Sequence, residues 1–400
     1  MKNRFDLVIY GATGFTGSIA TKRLMESSHL NGMRVAIAGR DKQKLEVLQT
    51  LCKIKPDIII ADSTNPASVE EMVQSTKVVL NFAGPFAKYA EPVIRACAKW
   101  GKHYLDITGE TAFIRTMIDR YQSQAKASGA CLIPFCGFDS VPADITTFLA
   151  FEMASENQIK LDQLSLYYLM KGGYNGGTLE TALYIAENQS MADISNANIL
   201  IPDDSWPKDK NDSFAPRYES NFARWSTYFF MAPVNKAVVR RSAWLRSRLN
   251  IVSSDSQPNF HYKERWLMPE KYGFIKACLS TGFVFVFSLL IHYSLGRKLV
   301  RKFGRASGQG PSEEQRLAGF VRVQLVGRSA SQDKIKISME RQGDPGNEMT
   351  VALAIECAHL AVDNSFVTKE RGFLTPSIAF GNHLFDRLKA AGFNFKTENC

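Results

Sequence analysis

Short apolar runs alternate with helical segments over the first 150 residues, and this alternation predicts an α/β protein with a doubly wound parallel sheet. A cluster of glycines directly after the first run supports the same fold class. Together these patterns predict a Rossmann-type sheet followed by a second α+β domain. The predicted strands cover residues 5–10, 33–39, 57–62, 77–81, 103–106 and 130–135. The predicted helices include segments near residues 66–75, 90–100, 110–128 and 142–154.

The first predicted strand leads into three glycines at a spacing of three and then into a helix with Ile19 and Leu24 on one face. A pyrophosphate needs bare backbone N–H groups at a helix N-terminus, and a Cβ at the close-approach glycine would hold it away. This loop is one residue longer than the GxGxxG dinucleotide fingerprint, and an ordinary tight turn is the alternative interpretation. We expect the loop to bind a nucleotide through Gly11, Ala12, Thr13, Gly14, Phe15, Thr16 and Gly17.

The end of the second predicted strand indicates which nucleotide binds. NAD-binding domains usually place an Asp or Glu about 20 residues past the glycine loop, where it bonds the adenine-ribose 2′-hydroxyl. This chain has Gly39 and Arg40 there, and a guanidinium pairs well with a 2′-phosphate. Asp41 is expected to cap the following helix. The sequence therefore favours NADP(H) over NAD(H), with Arg40 as a solvated surface charge as the alternative.

Ligands of doubly wound sheets bind beyond the carboxyl ends of the strands. We therefore expect Asp62, after the third strand, to accept a hydrogen bond from the adenine amino group. The turn after the fourth strand is expected to lie along the nicotinamide ribose, and the turn at 106–110 ends the fifth strand at the same edge. For each of these residues an ordinary cap or turn is the alternative. The cofactor-binding residues predicted in the turn after the fourth strand are Asn81, Ala83, Gly84 and Pro85.

Composition limits the classes of protein that remain. A length of 400 residues with 45% hydrophobic content predicts two or three structural units with full cores. The net charge of +10 suits an anionic cofactor, and no recognisable DNA- or RNA-binding module accompanies it, so no nucleic-acid partner is expected. The first strand begins almost at once with Asp6 inside it, which predicts no signal peptide and a cytoplasmic protein. Oligomerisation is left open.

Several longer motifs occur in an order that resembles one known family. They are YGATGFTG at 10–17, AGR at 38–40, NFAGPF at 81–86, YLDITGE at 104–110 and GFDSVPAD at 137–144, followed by GGT at 176–178 and GFLTP at 372–376. With these motifs the chain resembles the saccharopine dehydrogenase-like oxidoreductases, and within them the branch that includes the mycobacterial trans-acting enoyl reductases. The resemblance is dense over residues 5–150, sparse in the middle of the chain, and returns near residues 370–390.

The resemblance implies an NAD(P)-dependent oxidoreductase that reduces a double bond in a hydrophobic or acyl-chain substrate. One alternative is a dehydrogenase acting on an amino-acid-derived C–N bond, and another is a non-catalytic nucleotide-binding protein on membranes or lipid droplets. We expect a cofactor-binding domain at residues 1–150, a substrate domain at 151–365, and a C-terminal segment at 366–400. The helix expected at 376–391 in that last segment resembles the one that packs back on the cofactor domain in this family.

One segment, residues 277–296, contains no Lys, Arg, Asp or Glu over 20 residues and is long enough to cross a bilayer as a helix. Three interpretations stay open: a transmembrane helix, a peripheral or hairpin attachment to a membrane or lipid-droplet surface, and a buried interior element. Basic residues that suit acidic lipid headgroups follow directly, and a second basic stretch surrounds Trp244. The two basic sets are Arg297, Lys298, Arg301, Lys302 and Arg305, and Lys236, Arg240, Arg241, Arg246 and Arg248.

No catalytic constellation stands out in the sequence. Two Tyr–Lys pairs have the four-residue spacing of a dehydrogenase proton relay, Tyr167 with Lys171 and Tyr272 with Lys276, and neither is expected to act as one. The six histidines show no metal-ligand spacing, and no metal is expected. A nicotinamide carries its own chemistry, but its reduction of a substrate still requires a proton donor. The candidates for that donor are Tyr104, Asp106, Asp139 and Lys171, and for each a structural role is the alternative.

Overall fold

The computed structural model describes residues 3–26, 30, 32–210, 212–249, 259–306 and 308–399, and its strands form two seven-stranded sheets. In chain order the strands are β1 (Phe5–Tyr10), β2 (Val35–Gly39), β3 (Asp57–Ile60), β4 (Thr76–Asn81), β5 (His103–Asp106), β6 (Cys131–Ile133), β7 (Leu161–Lys171), β8 (Arg217–Glu219), β9 (Arg224–Tyr228), β10 (His261–Leu267), β11 (Phe320–Ser329), β12 (Lys334–Gln342), β13 (Gly372–Phe373) and β14 (Asn394–Asn399).

Helices connect the strands and cover the sheets. In chain order they are α1 (Phe15–Glu26), α2 (Lys42–Thr50), α3 (Pro66–Gln74), α4 (Phe86–Tyr89), α5 (Glu91–Trp100), α6 (Thr111–Ser128), α7 (Val141–Glu156), α8 (Gly176–Asn188), α9 (Met191–Ser195), α10 (Ala232–Arg248), α11 (Gly273–His292), α12 (Ser294–Phe303), α13 (Glu313–Leu317), α14 (Thr350–Val362) and α15 (Pro376–Ala390).

The first sheet is parallel throughout, with the order β13-β6-β5-β4-β1-β2-β3. This is the order of a doubly wound dinucleotide-binding sheet with one added edge strand, and it confirms the predicted fold class. Alternate residues of β1 enter two separate cores: Leu7 and Ile9 pack on one face, and Val8 and Tyr10 on the other. Because both faces are covered, the strand is an uninterrupted apolar run apart from Asp6.

The sixth strand is shorter than predicted. It was expected over 130–135, but the sheet pairing of β6 ends at Ile133. Pro134 has no N–H to donate to a neighbouring strand, and Phe135 has a φ of 67°, which turns the backbone out of the extended region. This turn sends the chain towards the carboxyl edge of the sheet, where Asp139 follows.

The second sheet is mixed, with the order β14-β12-β11-β7-β10-β9-β8. Its central strand β7 pairs in parallel with β10 and antiparallel with β11. Helix α7 packs against β7, β11 and β12, so one face of the sheet is buried. Burial alternates along β11 and β12, as expected of strands with one face on the core.

The C-terminal segment contributes to both sheets. Strand β13 extends the first sheet beside β6, whereas β14 pairs with β12 at the edge of the second sheet. Between them, α15 packs against α7 and α14. The last 30 residues therefore join the two halves of the molecule, and the domain boundaries given above stay a prediction.

The position of helix α11 shows that one of the three interpretations of the apolar segment is wrong. A buried interior element was one expectation for residues 277–296, but only 6% of the most apolar 18-residue window of α11 is buried. Gly273 and Ala277 are its buried residues, while Phe283 and Phe285 are 68% and 70% exposed. The neighbours it has, β9, α8 and α12, leave most of its circumference uncovered.

The second basic stretch lies on helix α10, and the expectation that its side chains suit acidic lipid headgroups is wrong. Four of its five basic residues, Lys236, Arg240, Arg241 and Arg246, are buried rather than available to lipid headgroups. Lys236 pairs with two aspartates of the preceding loop, and Arg246 pairs with Glu152. Only Arg248, at the C-terminal end of the helix, keeps an exposed side chain.

Candidate functional site

A cleft of about 3420 Å³ lies at the carboxyl ends of β1, β2 and β4, between the first sheet and the second half of the chain. Of the predicted cofactor-binding residues, Ala12, Gly17 and Asn81 do not line it, and they support the residues that do. How these residues take part in binding stays a prediction. The predicted residues that line the cleft are Gly11, Thr13, Gly14, Phe15, Thr16, Gly39, Arg40, Asp62, Ala83, Gly84 and Pro85.

A side chain at each of the three loop glycines would have a different structural consequence. Gly11 has a φ of +74°, and a Cβ there would lie 2.6 Å from the backbone nitrogen of Ala83. A Cβ on Gly17 would overlap the carbonyl oxygen of Gly11, so the third glycine lets α1 pack closely against the loop. A Cβ on Gly14 would meet only the Gly11 oxygen, at 3.3 Å, with open space beyond. Gly14 is therefore the position at which the backbone is open to a ligand.

The glycine loop fits a dinucleotide phosphate. Phe15 and Thr16 begin α1, and their N–H groups have no earlier carbonyl within the helix to bond. Ala12 is fully buried and holds the turn against the sheet, where its N–H donates to the carbonyl of Ala38. The N-terminus of α1 carries a partial positive charge, and its first N–H groups have no partner within the helix. Both features therefore lie at the open side of Gly14.

Arg40 lies at the mouth of the same cleft with an exposed side chain. It makes no ion pair with any residue in the described part of the chain. Asp41 beside it has the expected capping role, because its carboxylate accepts a hydrogen bond from the N–H of Lys44 at 3.1 Å. The Asp62 carboxylate accepts from the N–H of Thr64 at 2.9 Å, and this bond lowers the pKa of Asp62. Asp62 thus shapes its own turn while still lining the cleft.

Two of the four proton-donor candidates, Tyr104 and Asp106, lie in a closed network behind the cleft. Both are fully buried, as is Asn81. Asn81 donates to the Tyr104 hydroxyl at 3.1 Å, and that hydroxyl donates to Asp106 at 2.7 Å. Asp106 also accepts from the N–H groups of Thr108 and Phe135. Burial raises the pKa of Asp106 to about 7, but neither side chain lines the cleft.

Glu110 is a residue whose role the sequence analysis missed. Its buried carboxylate accepts hydrogen bonds from the N–H groups of Phe86 and Ala87, each at 2.8 Å. It therefore caps α4 and joins the turn after β5 to the turn after β4. A carboxylate 24 residues away from the helix it caps leaves no local signal in the sequence.

The other two candidates, Asp139 and Lys171, do line the cleft. Asp139 is partly buried, and its carboxylate makes no hydrogen bond or ion pair with a described residue. Burial raises the pKa of Asp139 to about 6. Lys171 ends β7 with an exposed side chain. Of the four, Asp139 combines access to the cleft with a proton affinity suited to transfer near neutral pH.

Neither Tyr–Lys pair is arranged as a proton relay. Tyr167 and Lys171 lie four residues apart on β7, which separates them by about 13 Å along the strand. The hydroxyl of Tyr167 bonds instead to Glu219 at 3.3 Å. Tyr272 precedes α11, and neither it nor Lys276 lines the cleft. Among the described residues, no group of three His, Cys, Asp or Glu side chains could hold a metal ion.

The second half of the chain reaches over the glycine loop. Asn175 caps α8 through a bond from the N–H of Thr178, and its amide nitrogen lies 3.4 Å from the hydroxyl of Thr16. The ring of Phe15 packs so closely on Gly310 that no Cβ would fit between them. The Asn-Gly-Gly-Thr sequence at 175–178 carries the capping signal, but its position beside the loop is visible only in the fold.

Comparison with known families and proteins agrees with this architecture. Residues 7–133 match the model of the saccharopine dehydrogenase NADP-binding domain. The chain is 31% identical to a protein of Mycobacterium tuberculosis strain H37Rv named as a candidate trans-acting enoyl reductase, over 98% of this chain and 97% of that protein. It is 28% identical to the trans-acting enoyl reductase of Mycobacterium leprae, over the same shares of the two chains.

Two solved structures share the fold over nearly the whole chain. One is the apo saccharopine dehydrogenase (L-Glu forming) of Saccharomyces cerevisiae, with a TM-score of 0.56, 11% identity, and coverage of 98% of this chain and 100% of that one. The other is the homospermidine synthase of Legionella pneumophila in complex with NAD, with a TM-score of 0.58, 10% identity, and coverage of 100% and 92%. At such identities the likeness shows the fold alone.

Proposed function

This chain belongs to the saccharopine dehydrogenase-like family of NAD(P)-dependent oxidoreductases, and from that premise we propose that it uses NADPH to reduce a carbon–carbon double bond in a hydrophobic acyl substrate. The observation that carries the proposal is the single cleft that joins the glycine loop and Arg40 to Asp139 and a largely apolar lining. The names of the mycobacterial relatives support the enoyl reaction.

The cofactor preference rests on Arg40. When bound, NADPH would supply a hydride to one carbon of the double bond, and the task of the protein would be to hold the coenzyme in place. The amides at the start of α1 would hold the pyrophosphate at Gly14, while the Arg40 guanidinium, which has no ion-pair partner in the described part of the chain, would bind the 2′-phosphate. Asp62 and the turn at 83–85 line the same cleft, and we assign Asp62 to the adenine and the turn to the nicotinamide ribose.

Arg40→Ala tests this assignment. The wild type should bind NADPH more tightly than NADH, and the variant should lose about ten- to one hundred-fold in NADPH affinity with little change for NADH, because a charge-assisted phosphate contact disappears. Calorimetry with both coenzymes measures the change. Lys53→Ala removes an exposed positive charge of the same domain outside the cleft and is the matched control. Equal losses for both coenzymes would contradict the role of Arg40.

Asp139 is the proposed proton donor. A hydride added to the β-carbon of an enoyl thioester leaves electron density on the α-carbon, and the Asp139 carboxylic acid delivers the proton there. Water entering the cleft then reprotonates the carboxylate. Because a general acid must carry its proton, the rate should fall as pH rises through about 6.

Asp139→Asn should lower kcat by about 100-fold or more while leaving NADPH affinity unchanged, because general acid catalysis is lost and binding is not. NADPH consumption with an enoyl thioester measures kcat, and calorimetry measures the affinity for NADPH. Asp57→Asn, an exposed carboxylate of the same domain, is the control. A variant with wild-type kcat and the same pH profile would exclude Asp139 as the donor.

We also propose that the enzyme works in the cytoplasm at a lipid surface, a membrane or a lipid droplet, on which α11 lies flat. Strands β10 and β11 flank α11 in the chain and belong to one sheet, so the helix cannot cross a bilayer in this fold. An exposed apolar helix next to a basic one suits an interfacial position instead. Of the basic residues after it, Arg301 pairs with Glu180 and Glu187, whereas Lys298 and Lys302 make no ion pair with a described residue and can meet acidic headgroups.

Flotation with liposomes of neutral lipid, with and without acidic lipid, tests this attachment. The wild type should float, and more strongly with acidic lipid. The double variant Phe285→Ser, Leu289→Ser removes exposed apolar side chains of α11 and should stay in solution. Leu51→Ser with Ile54→Ser makes an equal change at another exposed site and should float. Wild-type flotation of the α11 variant, or dimerisation through α11 without flotation, would overturn the proposal.

A further inference from the structure

A buried carboxyl group with no part in the proposed mechanism lies in strand β10. Glu264 accepts hydrogen bonds from the hydroxyl of Tyr262 at 2.6 Å and from that of Tyr168, in β7, at 3.2 Å. Its other oxygen accepts from the amide nitrogen of Asn235, in α10, at 2.9 Å. All four side chains are fully buried, and Glu264 makes no ion pair with a described residue. Burial raises the pKa of Glu264 to about 8, so at neutral pH the group carries a proton and no charge.

The surroundings of Glu264 suit the neutral acid. The titratable groups that face this network from neighbouring elements are Tyr228 of β9, Asp212 of the loop before β8, and Asp144 of α7. A buried carboxylate without a cation is costly, and a neutral acid needs an acceptor for its proton. The amide oxygen of Asn235 is buried and has no hydrogen-bond partner among the described residues, so a half-turn of the amide would provide that acceptor.

Tyr168 connects Glu264 with the turn that carries the proposed proton donor. Its ring stacks on Phe229, with 4.0 Å between the ring centroids, and packs edge-on against Phe138 at 6.0 Å. Phe138 directly precedes Asp139, and both residues line the cleft. The pKa of the Tyr168 hydroxyl is raised by burial first, then by the charge of Glu264, and also by that of Asp139. The hydroxyl therefore lies within electrostatic range of both carboxyl groups.

We propose that Glu264 is a positioning residue for Asp139: its carboxyl fixes the Tyr168 hydroxyl, and the Tyr168 ring then holds the turn of Asp139 in the wall of the cleft. The inference rests on the proposed function, to which it adds the group that orients the proton donor. Without the hydroxyl bond the ring can shift, the turn loosens, and water reaches the Asp139 carboxyl. Because burial raises the pKa of Asp139 to about 6, added water should bring that pKa down. Lys171, the charged group of β7 that lines the cleft, is the same in every variant below.

Two tyrosine variants test this positioning, because Tyr168 and Tyr262 donate to the same oxygen of Glu264. Tyr262 makes no hydrogen bond or ring contact with Phe138 or Asp139 in the described part of the chain, so its substitution is the matched control. Tyr168→Phe should lower the pKa of Asp139 by about one pH unit, whereas Tyr262→Phe should leave it unchanged. Carbon-13 NMR titration of the aspartate carboxyl carbons, with Asp139→Asn to identify the signal, measures the pKa of Asp139 without a substrate.

The same pair should differ in the proposed reaction. With an enoyl thioester at pH 7, Tyr168→Phe should lower kcat about tenfold, because about one tenth as many molecules keep the Asp139 proton. The KM for the thioester and the affinity for NADPH should not change, since Tyr168 does not line the cleft. Tyr262→Phe should keep the wild-type kcat. Equal changes in the two variants would show a general loosening of the core and overturn the proposal, as would an unchanged pKa of Asp139 in Tyr168→Phe.

Substitutions of Glu264 itself separate hydrogen bonding from charge. Glu264→Gln keeps a neutral acceptor for both tyrosines, and the Asn235 amide can turn to accept from its nitrogen, so the pKa of Asp139 should stay as in the wild type. Glu264→Leu removes the acceptor and should resemble Tyr168→Phe. Equal impairment by the two substitutions would contradict a tether through the neutral carboxyl. Wild-type binding of NADPH in calorimetry shows that a variant is folded, and the tyrosine pair decides the question if Glu264→Leu does not fold.

The positioning and the reaction can fail separately. A lower pKa of Asp139 in Tyr168→Phe, without NADPH consumption by the wild type on enoyl thioesters, would exclude the reaction and leave the positioning in place. Reduction of thioesters with the same pKa of Asp139 in all variants would do the reverse.

Discussion

Helices α10 and α11 occupy places opposite to those their sequences suggest. The sequence of α10 is rich in Arg and Lys, yet it buries Lys236, Arg240, Arg241 and Arg246. The sequence of α11 is the most apolar segment noted in the chain, yet it buries little besides Gly273 and Ala277. Composition alone would have placed the first on the surface and the second in the core.

The difference lies in what each helix meets. Arg240 bonds to the side chain of Asn198 and to the carbonyl of Pro207, and Arg241 bonds to the carbonyls of Leu200 and Phe373. A buried cation is tolerated when its donors are satisfied in this way. Helix α11 packs mainly on β9, α8 and α12, and most of its surface stays exposed in the described part of the chain. Burial therefore follows the available partners rather than hydropathy.

The largest effect expected from this comparison is that of Arg241→Ala. The guanidinium joins the loop at Leu200 to strand β13, and burial lowers its pKa to about 9. Its removal leaves two buried carbonyls without donors, so the free energy of unfolding should fall by about 3 kcal/mol. Urea denaturation measures the loss. Arg248→Ala, at the exposed end of the same helix, should unfold like the wild type. Equal stability of both variants would contradict a structural role for the buried cation.

A smaller effect is expected from Asp209, which accepts from His261 at 2.7 Å and faces Asp212, Lys236 and Arg240. Burial alone would raise its pKa, but the His261 hydrogen bond and the Lys236 charge lower it to about 2. A depressed carboxyl pKa stabilises the fold above pH 4, by on the order of 2 kcal/mol, and this contribution is lost as pH falls from about 4 to about 2.

Asp209→Asn checks that contribution. The variant should be less stable than the wild type at neutral pH, and the two should converge as pH falls from about 4 to about 2. Denaturant unfolding at a series of pH values measures the difference, in which carboxylates common to both proteins cancel. Parallel stability curves over this range would show that Asp209 is not stabilised by the charges of α10.

The smallest effect on stability is expected on α11. Phe285 is 70% exposed and has little packing to lose, so Phe285→Ser should change the free energy of unfolding by no more than about 0.5 kcal/mol. Urea denaturation of the single variant gives the value. A loss above about 1 kcal/mol would mean that the helix packs against a partner in solution, and the comparison with α10 would no longer hold.

The cofactor domain could be predicted largely from local pattern. The positive φ of Gly11, the capping by Asp41 and the apolar run of β1 all depend on neighbours within a few residues, and the family was visible in the same motifs. The catalytic candidates were a different case. Tyr104 and Asp106 lie in β5 and Asp139 follows β6, so all three are near the carboxyl ends of neighbouring strands. Only the fold separates the closed network of the first two from the cleft position of Asp139.

The sequence by itself determined the glycine loop, the first sheet and the helix-forming length of α11, because backbone conformation and periodicity are local properties. The tertiary structure alone decided which helix is covered, which carboxylate faces the cleft, and how Glu110 joins two turns. Those outcomes depend on partners dozens to hundreds of residues away, such as Phe373 for Arg241. Hydropathy carries no record of such partners, since the free energy of burying a charge is set by the groups that surround it.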